Sequence, residues 1–141
     1  SYIIHNYETF RRLIMEKQPT SSELEILNVL WEKESATVRE VFEVISASKS
    51  ITYTTVLKLM QIMTEKGLVE RDEQGKAHLY RAAIPQTETQ KGLVKDLLEK
   101  VFRGSAMQLV QHLLEAKKAS PKEMKEIRRM IERAEKEAKN E

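Results

Sequence analysis

The chain of 141 residues contains no cysteine, only four glycines and three prolines, and no long hydrophobic run. Without cysteine it forms no disulfide and binds no metal through thiolates, a composition compatible with the cytoplasm. No apolar run approaches the roughly eighteen residues that cross a bilayer, so we expect a soluble, cytoplasmic protein with no membrane partner. The apolar start at Tyr2, Ile3 and Ile4 is too short for a signal peptide.

Hydrophobic residues make up 40% of the chain and charged residues 33%. Together with the scarcity of glycine and proline, these proportions indicate a helical, charge-rich globular protein rather than a disordered one.

Two capping boxes mark the starts of short helices in the first half of the chain. Thr20 with Glu23, and Thr37 with Glu40, each provide a cap hydroxyl and a carboxylate that returns to the cap. The first of these helices is predicted to end near Lys33. The apolar residues expected to face inward are Leu24, Ile26, Leu27, Leu30 and Trp31 in the first helix and Val41, Val44 and Ile45 in the second.

Residues 52–81 contain a helix, a glycine and a hairpin in that order. The helix is predicted over residues 52–66, with Gly67 as its stop, and the strands over residues 68–71 and 77–81. In a winged helix-turn-helix, such a helix enters the DNA major groove and the hairpin lies against the backbone. We therefore expect a mostly α fold with a small β-hairpin: a winged helix-turn-helix head followed by a C-terminal helical dimerisation segment.

The predicted third helix has one apolar and one polar face. At about 100° per residue, Val56, Leu59, Met60 and Met63 share the side that should be buried. The opposite side carries Thr54, Lys58, Gln61 and Glu65, with Thr55 on its flank. Short hydroxyls suit base edges and phosphates, and a lysine suits guanine or a phosphate oxygen. The alternative interpretation is an ordinary surface helix that these threonines merely cap.

The hairpin offers a weaker signal. Lys76 and His78 share one strand face, and Arg81 lies on the other. One or two such cations are enough for a wing to contact the minor groove or its phosphates. Asp72 and Glu73 favour the alternative of a solvated turn.

Charge is unevenly distributed within a net charge of +2. Residues 20–84 hold eight Lys or Arg against ten Asp or Glu, whereas residues 85–141 hold thirteen against ten. The acids of the head concentrate in its first two helices, which should face away from DNA. The cations available for a DNA surface are Arg39, Lys49, Lys58, Lys66, Arg71, Lys76 and Arg81. So few cations predict modest nonspecific affinity and a steep dependence on salt.

Beyond Pro85 the pattern predicts three helices. One covers residues 87–103, the next follows Gly104, and the last begins at Ser120 and Pro121 with Glu123 in its first turn. Their apolar stripes exceed what about 55 residues can bury, which we interpret as a dimer interface, with a helical cap on the head of the same chain as the alternative. The expected dimer contacts are Leu93, Leu97, Val101, Val110, Leu114, Met124, Ile127 and Ile131.

Three regions result: residues 1–19, an N-terminal extension that is either an extra helix or a loose arm; residues 20–84, the winged-helix DNA-binding domain; and residues 85–141, the helical dimerisation domain. His5, His78 and His112 lack partners at metal-ligand spacing. No Gly-rich phosphate loop or nucleophile with a placed base is present. We expect neither an enzyme nor a cofactor.

Several segments resemble the penicillinase-repressor family in order and spacing. They are ELEILNVLW at residues 23–31, ATVREV at 36–41, YTTVL at 53–57, KGLV at 66–69, KVFRGS at 100–105 and SPKE at 120–123. The resemblance covers roughly residues 20–136 and implies a homodimeric repressor that binds pseudo-palindromic operators. It places DNA contacts on Thr52, Tyr53, Thr54, Thr55 and Lys58, with Lys76 and His78 in the wing. Gln61 on the exposed helix face and Arg39 among the head's cations complete the candidate set.

The resemblance also bears on how the repressor would be released. In β-lactam-responsive members a sensor triggers cleavage of an Asn-Phe bond in the fourth helix, but Asp96 and Leu97 occupy the matching positions. A sensor or protease partner is therefore left unidentified. Copper-responsive members use C-terminal cysteines, and this chain has none.

The function expected from these observations is sequence-specific repression of transcription by a homodimer on a double-stranded operator. The acidic average of residues 20–84 supports an alternative, a winged-helix adaptor that binds protein and not DNA.

Overall fold

A computed structural model describes residues 18–73, 75, 78–116 and 118–140. In chain order, the elements are α1 (Ser21–Lys33), α2 (Val38–Ser46), α3 (Tyr53–Lys66), β1 (Val69–Asp72), β2 (Leu79–Ala82), α4 (Gln86–Lys100), α5 (Ala106–Ala116) and α6 (Pro121–Lys139). This architecture confirms the expected mostly α fold with one small hairpin. The extension over residues 1–17 and the wing residue Lys76 lie outside the described residues.

Local capping chemistry sets the starts of α1 and α2. The Thr20 hydroxyl accepts from the Glu23 N–H at 3.2 Å, and the Glu23 carboxylate accepts from the Thr20 N–H at 2.9 Å. Thr37 and Glu40 make the same reciprocal pair, with both distances 3.1 Å. Both predicted capping boxes are thus confirmed.

The core of the head lies where α1, α2 and α3 meet. Its largest fully buried apolar side chains are Ile26, Leu27, Leu30, Val41, Val56, Met60, Met63, Leu68 and Val69. The expectation that Val44 faces inward is wrong, because Val44 is 44% exposed. The nine residues of α2 contact the core along a narrow stripe of Val38, Val41 and Ile45, and Val44 lies on its flank.

The hairpin is antiparallel, with Val69 opposite Ala82 and Arg71 opposite Tyr80. Both strands begin later than the sequence predicts. Leu68 still belongs to the helix end, because its N–H donates to the Met63 carbonyl at 2.9 Å after the left-handed Gly67. This bond closes a helix-terminating turn of the Schellman type.

Two contacts from the end of α1 and the segment after it hold the second strand in place. The N–H of Ala36 donates to the Tyr80 carbonyl at 3.0 Å, and the N–H of Tyr80 donates to the Ala36 carbonyl at 2.8 Å. The Trp31 indole donates to the Ile84 carbonyl at 2.9 Å. The wing and the chain that follows it are therefore attached to the helical core by two backbone hydrogen bonds and one from the Trp31 side chain, none of which was predicted from the sequence.

The chain divides into two compact units, one ending at Asp96 and the other comprising Leu97–Glu141. The division lies within α4 rather than at Pro85. In the first unit, Thr89 is fully buried, its hydroxyl donating to the Pro85 carbonyl at 2.6 Å, and the Gln18 amide donates to the Asp96 carboxylate. The assignment of residues 85–141 as a separate dimerisation domain stays a prediction.

Helix α4 ends at Lys100, earlier than the predicted end at residue 103. The chain leaves the helix through left-handed backbone at Arg103 and Gly104, and the Gly104 N–H donates to the Leu98 carbonyl at 2.9 Å. Glycine suits this conformation because it has no Cβ to clash.

The second unit contains the end of α4, then α5 and α6. The Phe102 ring lies 5.7 Å from the imidazole of His112, so the turn before α5 packs against that helix. Among the described residues of α5 and α6, none is buried. Ser120 caps α6 by accepting from the Glu123 N–H at 3.1 Å, as its sequence signature predicts.

A buried carboxylate joins the start of α1 to the end of α3. Glu23 is 1% exposed and pairs with the Lys66 ammonium at 2.9 and 3.1 Å. Burial by itself raises the pKa of Glu23, but the Thr20 N–H and the Lys66 ammonium together lower it below its usual value of 4.5. Glu23 therefore links the start of α1 to Lys66, which lies 43 residues further along the chain, while it also caps α1.

We expect Glu23→Gln to destabilise the fold by about 1–3 kcal/mol at neutral pH, because a charged hydrogen-bond acceptor is lost. Glutamine still accepts from the Thr20 N–H, so the cap remains. Because the folded-state pKa is lowered, the wild-type advantage is complete above pH 4.5 and disappears as pH falls through that pKa. Urea unfolding of the wild type and of Glu23→Gln, from neutral pH to below pH 4.5, measures this difference in the free energy of unfolding. Glu25→Gln is the control, since its exposed pair with Lys49 contributes about 1 kcal/mol or less. Equal losses of stability in Glu23→Gln and Glu25→Gln would contradict the special contribution of the buried Glu23–Lys66 pair.

Candidate nucleic-acid interface

The outer face of α3 is polar and open to solvent. Val56, Met60 and Met63 are fully buried on one side of this helix. The residues exposed on its other side are Thr54, Thr55, Lys58, Gln61 and Glu65. Because helical geometry separates the two sets, the side chains proposed to read DNA do not contribute to the core.

The four residues that begin this region have different roles. Thr52 is the N-cap, and its hydroxyl accepts from the Thr55 N–H at 3.2 Å. The Thr52 and Thr55 hydroxyls lie 2.8 Å apart and hydrogen-bond to each other. Thr54 is exposed and makes no side-chain hydrogen bond to another described residue. Of the three threonines, Thr54 is the one whose hydroxyl has no hydrogen-bond partner in the described part of the chain.

Tyr53 is held between two residues of α2. The Arg39 guanidinium lies 5.1 Å from the centroid of the Tyr53 ring, within the range of a cation–π contact. The Phe42 ring meets Tyr53 edge-on, with centroids 5.9 Å apart and planes at 81°. This cluster fixes the tyrosine at the first turn of α3 and brings Arg39 beside it.

A cleft of about 400 Å³ lies between α3, the wing and the start of α2. Its lining residues are Thr37, Val38, Arg39, Tyr53, Leu57, Gln61, Arg71, His78 and Tyr80. The cleft thus brings together four of the candidate DNA residues: Arg39, Tyr53, Gln61 and His78. The others described, Thr52, Thr54, Thr55 and Lys58, do not line it.

Ion pairing separates the cations of the head into two groups. Lys49 pairs with Glu25 at 2.8 Å, Lys66 with Glu23, Arg71 with Glu73 at 2.5 Å, and Arg81 with Glu70 at 3.1 Å. By contrast, Lys33 at the end of α1, Arg39 and Lys58 form no ion pair with a carboxylate in the described part of the chain. Arg39 and Lys58 were named from the sequence as DNA contacts.

Phe42 was not anticipated from the sequence as part of this site, and Arg71 was predicted only as one of the cations available for a DNA surface. Phe42 supports Tyr53, and Arg71 lines the cleft. The sequence contained the signal for placing Arg71 in the cleft, because it lies two residues after the apolar Val69 and therefore on the same, inner face of the strand. Phe42 could have been placed beside Arg39 from its helical spacing of three residues.

Glu73 and Tyr80 hold the Arg71 side chain. Hydrogen bonds to the Glu73 carboxylate and to the Tyr80 hydroxyl raise the pKa of Arg71, so the guanidinium stays fully charged. Near the other wall, the Thr37 N–H and hydroxyl lower the pKa of Glu40, which keeps that capping carboxylate ionised.

The predicted dimer contacts differ in exposure. Leu97, Val101, Val110, Leu114 and Ile131 are exposed, whereas Leu93, Met124 and Ile127 are partly buried.

No helix in the described part of the chain combines the length and apolarity that crossing a bilayer requires. Nor do the described residues include a group of three or more His, Asp or Glu side chains placed to hold a metal ion.

Three helices, a hairpin on the third and an exposed polar helix face define a winged helix-turn-helix protein. The family model described as Penicillinase repressor matches residues 19–133, and the chain belongs to that family of transcriptional repressors. The chain is 25% identical to methicillin resistance regulatory protein MecI of Staphylococcus aureus (strain N315) over 112 residues, or 79% of this chain and 91% of MecI. It is 33% identical to transcriptional regulator BlaI of Mycobacterium tuberculosis (strain H37Rv) over 92 residues, or 64% and 67% of the two chains.

Among solved structures, the YusO protein of Bacillus subtilis aligns with 96% of this chain and 88% of its own at 17% identity, with a TM-score of 0.47. The two relatives named above are regulatory proteins rather than enzymes.

We expect Thr52→Ala and Thr54→Ala to affect stability differently. Removing the N-cap hydroxyl should cost about 1 kcal/mol, because the Thr55 N–H loses its acceptor. Thr54→Ala removes an exposed hydroxyl with no intramolecular bond and should change stability by roughly 0.5 kcal/mol or less. Denaturant unfolding of the two variants measures the difference. A loss at Thr54 as large as that at Thr52 would show that Thr54 has a structural role.

Proposed function

We propose that the protein is a homodimeric repressor that binds a pseudo-palindromic, double-stranded operator through α3 and the wing. The observation that carries the proposal is the outer face of α3, where exposed Thr54, Lys58 and Gln61 stand opposite a fully buried apolar side. Membership of the penicillinase-repressor family supports the same function.

The polar face of α3 suits a major groove. Lysine donates to guanine or to a phosphate oxygen, an amide can contact adenine, and short hydroxyls contact either base edges or phosphates. The proposed base-reading residues are Thr54, Thr55, Lys58 and Gln61. Thr52 has the further role of fixing the helix start, because it caps the helix.

Electrostatics of the head support binding that depends on a few contacts. Four cations are already paired with carboxylates, whereas Arg39 and Lys58 have no such partner among the described residues. An acidic average charge is therefore compatible with DNA binding if the unpaired cations lie on the contact face. A small number of phosphate contacts also makes affinity sensitive to salt.

A second copy of the chain is the proposed cover for the apolar surface of the second unit. Met107 is 77% exposed, and Val110, Leu113 and Leu114 extend the same face of α5. Exposed apolar patches of this kind mark interaction surfaces in soluble proteins. A two-fold dimer would present two copies of α3 to successive major grooves, about 34 Å apart, and repression would follow from occupying a promoter.

Selection of bound duplexes from a random pool tests the proposal directly. Recovery of an inverted repeat is the expected result. Failure to enrich any such repeat would reject the operator model. Loss of duplex binding between low and moderate salt is expected if phosphates are contacted. An adaptor, which the acidic head would also suit, would bind no duplex at any salt concentration.

We expect Lys58→Ala to weaken operator binding about tenfold or more, because one good base or phosphate contact contributes roughly 1–3 kcal/mol. Fluorescence anisotropy with a labelled operator measures the change. Lys91→Ala removes the same charge from an exposed position on α4 and serves as the control. Equal effects of the two substitutions would remove Lys58 from the site.

Dimerisation is tested by placing charge on α5. Val110→Asp with Leu114→Asp should give monomers in sedimentation equilibrium, since two carboxylates would enter the apolar contact. Operator affinity should then fall roughly a hundredfold, because the second head loses its high effective concentration. Gln108→Asp with Gln111→Asp adds the same charge to the polar face of α5 and should leave the dimer intact. If the Val110→Asp, Leu114→Asp variant dimerises as well as the Gln108→Asp, Gln111→Asp control, the interface lies elsewhere.

A further inference from the structure

The wing contains two ion pairs, and only one of them has a residue in the cleft. Arg71, which pairs with Glu73, lines the cleft, whereas Arg81 and its partner Glu70 do not. In the hairpin, Arg71 lies opposite Tyr80, which is 2% exposed, so this register position is on the inner face. The next position pairs Glu70 with Arg81, and both side chains are exposed on the outer face. Alternation along the strands therefore separates two similar ion pairs onto opposite sides of one small sheet.

The partner of Arg71 is a solvent-exposed carboxylate. Glu73 follows β1 directly, and its side chain is 66% exposed, compared with 37% for Arg71. Ion pairs in such exposed settings are weak, because water solvates both groups almost as well as they solvate each other. A stronger anion could therefore displace Glu73 without rearrangement of the buried core.

The surroundings of Arg71 suit an anion with oxygen acceptors. Arg39, His78, Tyr53 and Tyr80 line the same cleft, and a tyrosine hydroxyl can donate a hydrogen bond to an oxygen acceptor. A guanidinium binds a phosphate through two parallel hydrogen bonds, which are stronger than neutral ones. Arg39 has no carboxylate partner in the described residues, so the cleft holds one guanidinium that is unpaired and one that is weakly paired.

We propose that the cleft between α3 and the wing receives one backbone phosphate of DNA, that Arg71 is a further DNA-contacting residue, and that Glu73 competes with this phosphate for Arg71. The inference rests on the proposed function, since the phosphate belongs to the duplex bound by α3. Its new content is that an acid of the wing weakens DNA binding by occupying a guanidinium that the duplex would otherwise use.

The geometry gives Glu73 a specific role rather than a general charge effect. An acid anywhere on the head repels DNA to some degree, and that repulsion decreases with distance and with salt. Glu73 has the additional property of being bonded to a cation that lines the cleft. Its removal therefore releases Arg71, whereas removal of Glu70 releases Arg81 on the opposite face of the sheet.

The test is a gain of affinity. Glu73→Gln should bind a duplex operator more tightly by about threefold for each head, and so about tenfold for a dimer, as expected for release of a weak exposed pair. Glu70→Gln makes the same change in charge on the opposite face of the sheet and should have a much smaller effect on affinity. Anisotropy titrations of the full-length chain with one labelled duplex, at several salt concentrations, measure both.

Arg71→Gln completes the test. This variant should weaken binding and reduce the magnitude of the slope of log K against log salt by about 0.9 for each head, because one phosphate contact is lost. In the Arg71→Gln background, Glu73→Gln should no longer tighten binding. Arg81→Gln is the matched control for the arginine and should leave the salt slope nearly unchanged. Denaturant unfolding of each variant verifies that the head is folded.

The proposed function and the competition by Glu73 can be refuted by different results. If the wild-type chain binds the duplex but Glu73→Gln behaves like Glu70→Gln, the competition by Glu73 is refuted while the proposed function stands. An unchanged salt slope in folded Arg71→Gln would likewise remove the phosphate from this cleft. If the wild-type chain binds no duplex at any salt concentration, the proposed function and this inference fall together.

Discussion

The left-handed backbone of Gly67 is the constraint on which the head depends. With φ at 82°, this residue adopts a conformation that side chains with a Cβ rarely tolerate, and it ends α3 directly after Lys66. The Leu68 N–H then returns to the Met63 carbonyl, and Leu68 itself is buried. The turn thus fixes both the length of the outward helix face and the point at which the wing begins.

The position of the wing follows from two further contacts. Its second strand is bonded to Ala36 through the backbone of Tyr80, and the chain after that strand is bonded to the Trp31 indole. Ala36 immediately precedes the cap of α2, so the same contacts bring the start of α2 beside the wing. The cleft lined by Arg39 and Arg71 is a consequence of this attachment.

The charge that the head offers to an anion depends on which cations are paired with carboxylates rather than on how many cations the head contains. The buried Glu23 pairs with Lys66, whose side chain is still 34% exposed, and Arg81 is paired on the outer side of the wing. Near α3, Arg39 and Lys58 have no carboxylate partner among the described residues, and Arg39 also contacts Tyr53. A chain segment that is acidic on average can therefore have a local face that suits phosphate.

The sequence by itself determined the elements whose signals are local. Thr20 with Glu23, Thr37 with Glu40, and Ser120 with Pro121 each specify a helix start within four residues, and the period of α3 distinguishes its buried side from its exposed side. Such features depend on hydrogen bonds and side-chain spacing within one or two turns, so the order of residues is sufficient to predict them.

Tertiary structure alone decided which distant residues meet. The Ala36–Tyr80 bridge, the Glu23–Lys66 pair and the assembly of Arg39 with Arg71 join segments far apart in the chain, and no local pattern specifies their separation. It also showed that Val44 lies on the flank of α2 and that Leu68 belongs to the helix end. The reason is physical: burial and long-range hydrogen bonds depend on how whole elements pack, whereas propensity and capping depend on neighbours in sequence.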